Sequence, residues 1–413
     1  MPVVPDGQEA VGLRCAADRR SRHTDARKDV PVLRSVSPGR NRFAWERTLR
    51  SAACAAIVLT MLPAMARGQA ELSRERDTVK IGRLQMTGYP YIFYSPETEF
   101  ALGGALILTR RLSADTTVKP SSAMISGYYS AKHSYDLFFN PEFFLEEDKY
   151  YLGIAVDYWR FVDKFWGYGN ASPDFDSVGY IRKIFTVNVE FDVRILGPLK
   201  IGANYDLNYT TIEDKQTNPY LTSGSVTGSD GGTSAGWGLV LFADTRNGAF
   251  SPTSGGYYKL AFVHSVSWLG SSFQFGRWIA DIRQYTQIAE PLVLAAQLYA
   301  SRVNGDPPFY LYPALGGDNQ MRGYYEGRYR DKYYVAVQGE LRWRITHRWG
   351  LVGWAGVGDV AGALDNFRLD SFKPTVGVGV RFALDPAEIL NVRADFAYGK
   401  ETTGMYFNAK EAF

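Results

Sequence analysis

The stretch GGDNQMRGYYEGRYRD, Gly316 to Asp331, carries the side chain best suited to a specific interaction, the guanidinium of Arg322. Its planar fork can bind both oxygens of a carboxylate, and a guanidinium enclosed by protein needs such partners to offset its lost hydration. Two acidic residues farther along the chain, Glu340 and Asp359, are the candidate partners. These residue types favour a buried ion pair.

The elements that must position these groups are strands on either side of the stretch, predicted at 291–303 and 332–346. In the second strand one face is polar and the other is apolar, which places Glu340 on the polar face. A strand of this kind suits a membrane barrel, with lipid outside and a polar lumen inside. In the next strand, 349–361, the alternation predicts that Asp359 faces inward with Leu351 and Val357, opposite Val352 and Trp354.

Alternation and turn signals along the chain predict about sixteen strands between residues 83 and 413, the last at 404–413. An even number lets both ends lie on the periplasmic side of an outer membrane. The four long connections all fall on the opposite side, which is the asymmetry of bacterial barrels. We therefore predict an all-β fold, a transmembrane antiparallel β-barrel of about 16 strands with a long extracellular loop folded into the lumen.

Composition agrees with this class. The chain has 413 residues, of which 27 are Tyr, 24 Phe and 9 Trp, and these fit barrel strands and the aromatic girdles at the two membrane interfaces. After the N-terminal region no apolar run reaches the roughly 18 residues that a membrane helix needs. The net charge of +3 comes from nearly balanced acids and bases, so it gives no argument for nucleic acid as a partner.

Catalytic and metal chemistry are not expected. The histidines beyond the N-terminal region, His133, His264 and His347, lie on or beside different predicted strands or turns. His264 and Ser265 are adjacent, so on a strand they point to opposite faces and cannot form a nucleophile and base pair. The Gly-rich segments lack the strand-to-helix context of a phosphate loop. We expect no enzyme activity, no metal and no cofactor.

Met321-Arg322-Gly323-Tyr324 resembles the Val-Arg-Gly-Phe/Tyr signature of the BamA/TamA superfamily of outer-membrane β-barrels, the bacterial surface antigen family. Other similar pieces follow in the expected order, and the resemblance covers roughly residues 83–413. They are GELRWR, GVGDVA, RADFAYG and a chain ending in MYFNAKEAF, preceded by FADTRNGAFSPTSGGYY at a turn and YSPETEFALGGA at the opening hairpin.

The resemblance implies roles for individual residues. Glu340 and Asp359 match the family positions that hold the signature arginine, which implies a latch fixing the long loop inside the barrel. The alternative is that this latch only stiffens the barrel or plugs its lumen. The resemblance also implies a weak pairing between the first and last strands, 404–413 being the last, that can open sideways into the bilayer. The aromatic residues Phe407 and Phe413 are implied to be the carboxy-terminal signal read by the assembly machinery. The alternative is that Phe413 marks only how this barrel is itself inserted.

The N-terminus resembles a secretory leader. Residues 1–46 are expected to be an over-extended or disordered start, and 47–70 a signal peptide with an apolar core and small residues before its cleavage site. Both cysteines, Cys15 and Cys54, lie in this removable part. Residues 71–82 then form a short periplasmic segment, too small for a domain of about 50 residues. The prediction is a short family member, without periplasmic POTRA domains, whose barrel spans 83–413.

The resemblance implies that the protein helps insert or translocate proteins, or lipids, at the bacterial outer membrane. The alternatives are a passive pore or channel and a structural surface antigen. A monomer is expected. Its partners would be outer-membrane lipid and lipopolysaccharide, unfolded outer-membrane proteins and the barrel-assembly machinery of the host.

Overall fold

The computed structural model describes residues 82–113, 118–174, 178–248, 251–385, 390–409 and 411–413. The predicted signal peptide and nearly all of the predicted periplasmic segment lie outside these ranges. No helix in the described ranges is long and apolar enough to cross a membrane.

Sixteen strands form a closed antiparallel barrel in which each strand pairs with the next along the chain and the last lies beside the first. The prediction of an all-β barrel of about 16 strands is confirmed. The barrel strands are β1 (Leu84–Ser95), β2 (Glu99–Arg110), β3 (Ser121–Ser130), β4 (Tyr135–Leu145), β5 (Tyr150–Lys164), β6 (Gly179–Leu196), β7 (Leu199–Glu213), β8 (Gly231–Asp244), β9 (Gly255–Ser265), β10 (Phe275–Ala289), β11 (Leu292–Gly305), β14 (Tyr333–Arg344), β15 (Trp349–Ala361), β16 (Lys373–Asp385), β17 (Leu390–Gly399) and β18 (Thr402–Ala409).

Alternation within the strands separates an apolar outer wall from a polar lumen. On β14, Val337, Leu341 and Trp343 are exposed on the outer wall, whereas Gln338 and Glu340 are buried inside. Successive side chains of a strand point to opposite faces, so the two-residue period of the sequence sorts them in this way. The outer wall is therefore suited to lipid and the lumen to ion pairs.

Four long connections follow strands β5, β7, β11 and β15. These four strands run in the same direction through the antiparallel barrel, so their connections lie at the same end. This loop end carries segments 165–178, 214–230, 306–332 and 362–372, whereas opposite joints such as 197–198, 290–291 and 345–348 are short. Short periplasmic turns and long extracellular loops are typical of bacterial outer-membrane barrels, so the loop end is assigned as extracellular. In their described parts the loops hold one short helix, α1 (Pro219–Thr222), and single 3-10 turns at Ser267–Leu269, Phe309–Leu311 and Leu364–Asn366.

The connection 306–332 folds back into the barrel. It contains a small two-stranded sheet, β12 (Ala314–Leu315) and β13 (Tyr329–Arg330). Met321 and Arg322 are fully buried, and Met321 packs in a cluster with Tyr334 and Val360 of the wall. We call segment 306–332 the lumenal loop.

Two local expectations are wrong. On β15, Val352 and Trp354 are buried in the lumen while Leu351 and Val357 are exposed, so the predicted phase of the alternation is inverted. The cause is that β15 has glycine or alanine at many positions of both faces, which weakens the contrast between them. The last strand ends at Ala409 rather than at Phe413.

Candidate functional site

The backbone at Met321 to Tyr324 is shaped for close approach to the barrel wall. Met321 has φ +53° and Gly323 has φ +104°. A Cβ atom at Gly323 would lie 3.1 Å from the backbone nitrogen of Gly399 and 3.2 Å from the carbonyl carbon of Tyr398. Glycine is therefore required at 323, both for its left-handed conformation and for contact with β17.

Arg322 lies at the centre of the site with no exposed surface. One terminal nitrogen, Nη1, donates to Asp395 Oδ2 at 2.6 Å, and the other, Nη2, donates to Glu340 Oε1. Its guanidinium carbon lies 3.7 Å from the centre of the Trp354 ring, a cation–π contact. The arginine thus links β14, β15 and β17 from inside the barrel.

Both carboxylates are shared with further arginines. Glu340 Oε2 accepts a hydrogen bond from Arg342 Nε at 3.0 Å. Asp395 accepts from Arg381 Nη1 at 2.5 Å and from Arg393 Nη1 at 3.1 Å. The result is a buried network of alternating charges, which offsets the cost of placing each charge away from bulk water.

The network reaches the end of the chain. Glu411 accepts from Arg381 Nε at 2.6 Å and from Asn391 Nδ2 at 2.7 Å. Phe413 O accepts from Arg342 Nη2 at 2.9 Å, and the Phe413 ring packs with Tyr285 in the lumen. The last three residues therefore turn into the barrel and join the arginine network.

The lumenal loop is also tied to β18. Gly323 N donates to Tyr406 Oη at 2.9 Å, and Thr402 Oγ1 donates to Gly323 O at 2.9 Å. Beside it, Tyr324 Oη accepts from Lys400 N at 2.7 Å and donates to Pro374 O at 2.8 Å. Gly323 and Tyr324 thereby contact β18 and the turn that leads into it.

The structure does not bring Asp359 to Arg322, which corrects the expectation that it is a latch partner. Asp359 Oδ1 accepts from Lys373 Nζ at 3.2 Å, and Oδ2 accepts from Ser371 Oγ at 2.5 Å. Asn170 of the β5–β6 connection also donates to it. Asp359 therefore joins extracellular connections at the loop end, and its predicted inward position rested on the inverted phase of β15.

Asp395 is the partner that sequence reasoning missed. It lies within RADFAYG, where Arg393, Asp395 and Ala397 alternate with the outward Phe396 and Tyr398. That alternation was a usable signal for an inward carboxylate. Its pairing with an arginine 73 positions away could not be predicted, because nothing in the local pattern specifies where the lumenal loop contacts the barrel wall.

The two aromatic residues of the expected C-terminal signal lie in different places. Phe407 is half-buried on β18 and opposes Tyr94 of β1. Phe413 is buried in the lumen beyond the end of β18. Within the described residues, no group of His, Cys, Asp and Glu is arranged to hold a metal ion.

Comparison with known families identifies the architecture. Residues 120–413 match the Omp85 superfamily domain. The chain belongs to the Omp85 superfamily. An Omp85 barrel is a protein of the bacterial outer membrane, and the resemblance described from the loop motif is confirmed at this level. No curated protein matches the sequence.

Solved Omp85-like structures share the fold at low sequence identity. BamA from Haemophilus ducreyi lacking POTRA domains 1–3 aligns with a TM-score of 0.56 at 13% identity, over 80% of this chain and 70% of that one. CdiB from Acinetobacter baumannii gives 0.50 at 12%, over 80% and 65%, and CdiB from Escherichia coli gives 0.52 at 11%, over 79% and 62%. This Omp85 chain thus spans less than two thirds of either CdiB chain.

Proposed function

We propose that this Omp85 barrel inserts or translocates outer-membrane proteins by opening sideways between β1 and β18. The observation that carries the proposal is the weakness of this seam. Among the residues that the structure describes, strands β1 and β18 share the single register pair Tyr94↔Phe407, whereas β1 pairs with β2 along its whole length. Over the rest of the described β1, from Leu84 to Phe93, no residue is in register with β18.

Two features keep the seam from closing further. The last residues turn into the lumen, where Glu411 and Phe413 bind arginines. If β18 instead continued in the Tyr94↔Phe407 register, four residues on, Glu411 would oppose Pro90. Proline has no N–H to donate, so this position would weaken a continued ladder.

An unpaired strand edge is a template for strand addition, because its N–H and C=O groups lack partners. An unfolded outer-membrane strand that adds to β1 would form a ladder of hydrogen bonds along this edge while its apolar side chains enter lipid. The lumenal loop supports this by holding β18 through Gly323 and Tyr406. In this proposal the Arg322 latch maintains the barrel wall next to the seam.

The test follows the folding of a small unfolded outer-membrane protein added to liposomes that contain the barrel. We expect wild-type protein to accelerate folding over empty liposomes and Arg322→Ala to lose most of the acceleration. Arg368→Ala is the matched control, since Arg368 pairs with Asp370 on an exposed loop. Folding no faster than in empty liposomes, from a barrel shown to be folded, would refute insertion by the barrel alone.

The same liposomes distinguish the alternatives. A stable ion conductance that rises in Arg322→Ala, without any acceleration of folding, would favour a passive pore. Neither conductance nor acceleration would favour a structural surface role.

A further inference from the structure

A groove of about 730 Å³ lies on the outer wall of the barrel, near the loop end. Its floor is a cross-strand row of apolar residues in which two alanines lie between larger neighbours: Leu260, Ala280, Ala300 and Val335. Leu364 and Phe367, from the β15–β16 connection, also line the groove. Small floor residues beside larger ones create a depression in the apolar outer wall.

The next outward row toward the loop end forms the rim of the groove. It consists of Phe262, Trp278, Arg302 and Tyr333, paired in register across β9, β10, β11 and β14. Tryptophan and tyrosine in such a row are typical of the girdle where a barrel meets lipid headgroups. The rim therefore places a cation at the outer headgroup level, directly above an apolar depression.

Arg302 differs from two outward cations at the loop end, Lys183 and Arg160, which have hydrogen-bonded partners. Lys183 Nζ donates to Glu213 Oε1 at 2.7 Å, and Arg160 Nη1 donates to His133 O at 2.6 Å. Arg302 is exposed and its guanidinium carbon lies 5.2 Å from the Tyr333 ring. Within the described ranges it has no hydrogen-bonded or ion-paired partner.

We propose that this groove is a binding site for a phosphate-bearing glycolipid of the outer leaflet. An acyl chain lies on the alanine floor, and a phosphate accepts hydrogen bonds from the Arg302 guanidinium. The planar fork of arginine matches phosphate oxygens in bidentate fashion. The position of the rim at the extracellular headgroup level selects an outer-leaflet lipid, and the positive charge selects an anionic one. The site does not depend on the proposed insertion function.

The test adds diphosphoryl lipid A to the full chain in detergent micelles and measures by native mass spectrometry how much lipid the protein retains after release from the micelles. Arg302→Gln is expected to retain about tenfold less lipid than wild type, since a hydrogen bond between charged groups is worth at least that factor. Ala300→Phe, which fills the floor, is expected to weaken retention with Arg302 intact. Lipid A stripped of phosphate is expected to bind wild type and Arg302→Gln equally weakly.

Lys183→Gln is the matched control, because Lys183 is another outward cation near the loop end that already has a carboxylate partner. It is expected to retain lipid A within about twofold of wild type. Heat-dependent gel migration checks that each variant is folded. Equal retention by wild type and Arg302→Gln, equal loss in Lys183→Gln, or undiminished binding of the phosphate-free lipid would overturn the proposal.

Discussion

Arg322 is a buried cation, and the free-energy cost of burying its charge is offset only while its carboxylate partners remain in place. Glu340 and Asp395 are themselves fully buried, and each is shared with another arginine. A buried ion pair adds little over a well-packed apolar alternative, but removing one member leaves an uncompensated charge. We therefore propose that these ion pairs act mainly by specifying one position of the lumenal loop.

Replacing Arg322 with alanine should lower the free energy of unfolding by about 3–5 kcal/mol, because Glu340 and Asp395 lose a shared partner inside the barrel. Denaturant titration in micelles measures the change. Arg368→Ala, at an exposed ion pair, should change it by no more than about 0.5 kcal/mol. Equal effects of the two substitutions would contradict the assignment of Arg322 as a buried latch.

Asp359 forms a second, separate site, and its substitution should have a different effect. Asp359→Ala removes the acceptor shared by Lys373, Ser371 and Asn170, so the β15–β16 connection should become more sensitive to protease. Limited proteolysis of the folded barrel measures this, with Asp370→Ala as an exposed control. Cleavage within the lumenal loop instead would contradict the separation of the two sites.

At the scale of elements, the lumenal loop carries a pH-sensitive contact. Glu326 lines a cavity of about 380 Å³ inside the barrel, and its backbone N–H donates to Glu97 Oε1 at 3.0 Å. Enclosure by protein, and then the negative charges of Glu97 and Asp163, raise the pKa of Glu326 from 4.5 to about 7. The folded loop therefore favours the protonated carboxyl.

This shift has a definite sign. The pKa of Glu326 is higher in the folded state than its ordinary value, so ionising this carboxyl destabilises the fold. The destabilisation is absent below about pH 4.5, where the group is protonated in both states, and complete above about pH 7. Glu326→Gln should be more stable than wild type at pH 8 and equal to it at pH 4. Thermal unfolding across this range measures the difference, and a difference independent of pH would refute the explanation.

Across the whole molecule, the sequence was most informative where polar and apolar residues differ strongly. The strands and the inward face of β14 could be predicted because charged residues alternate there with bulky apolar ones. The phase of β15 could not, since small residues occupy both of its faces. The inward turn after Ala409 was equally hidden, because the energy that favours it comes from Arg342 and Arg381 on other strands.

If the β1–β18 seam opens during insertion, as we propose, then a disulfide that locks the seam must block the function. Tyr94→Cys with Phe407→Cys joins the one register pair of the seam, in a chain whose Cys15 and Cys54 are replaced by serine. Tyr398→Cys with Thr403→Cys joins β17 to β18 as the control. We predict that oxidation of the seam pair abolishes the acceleration of client folding, that reduction restores it, and that the control pair has no effect. Undiminished acceleration by the oxidised seam variant would show that insertion does not require opening of the β1–β18 seam.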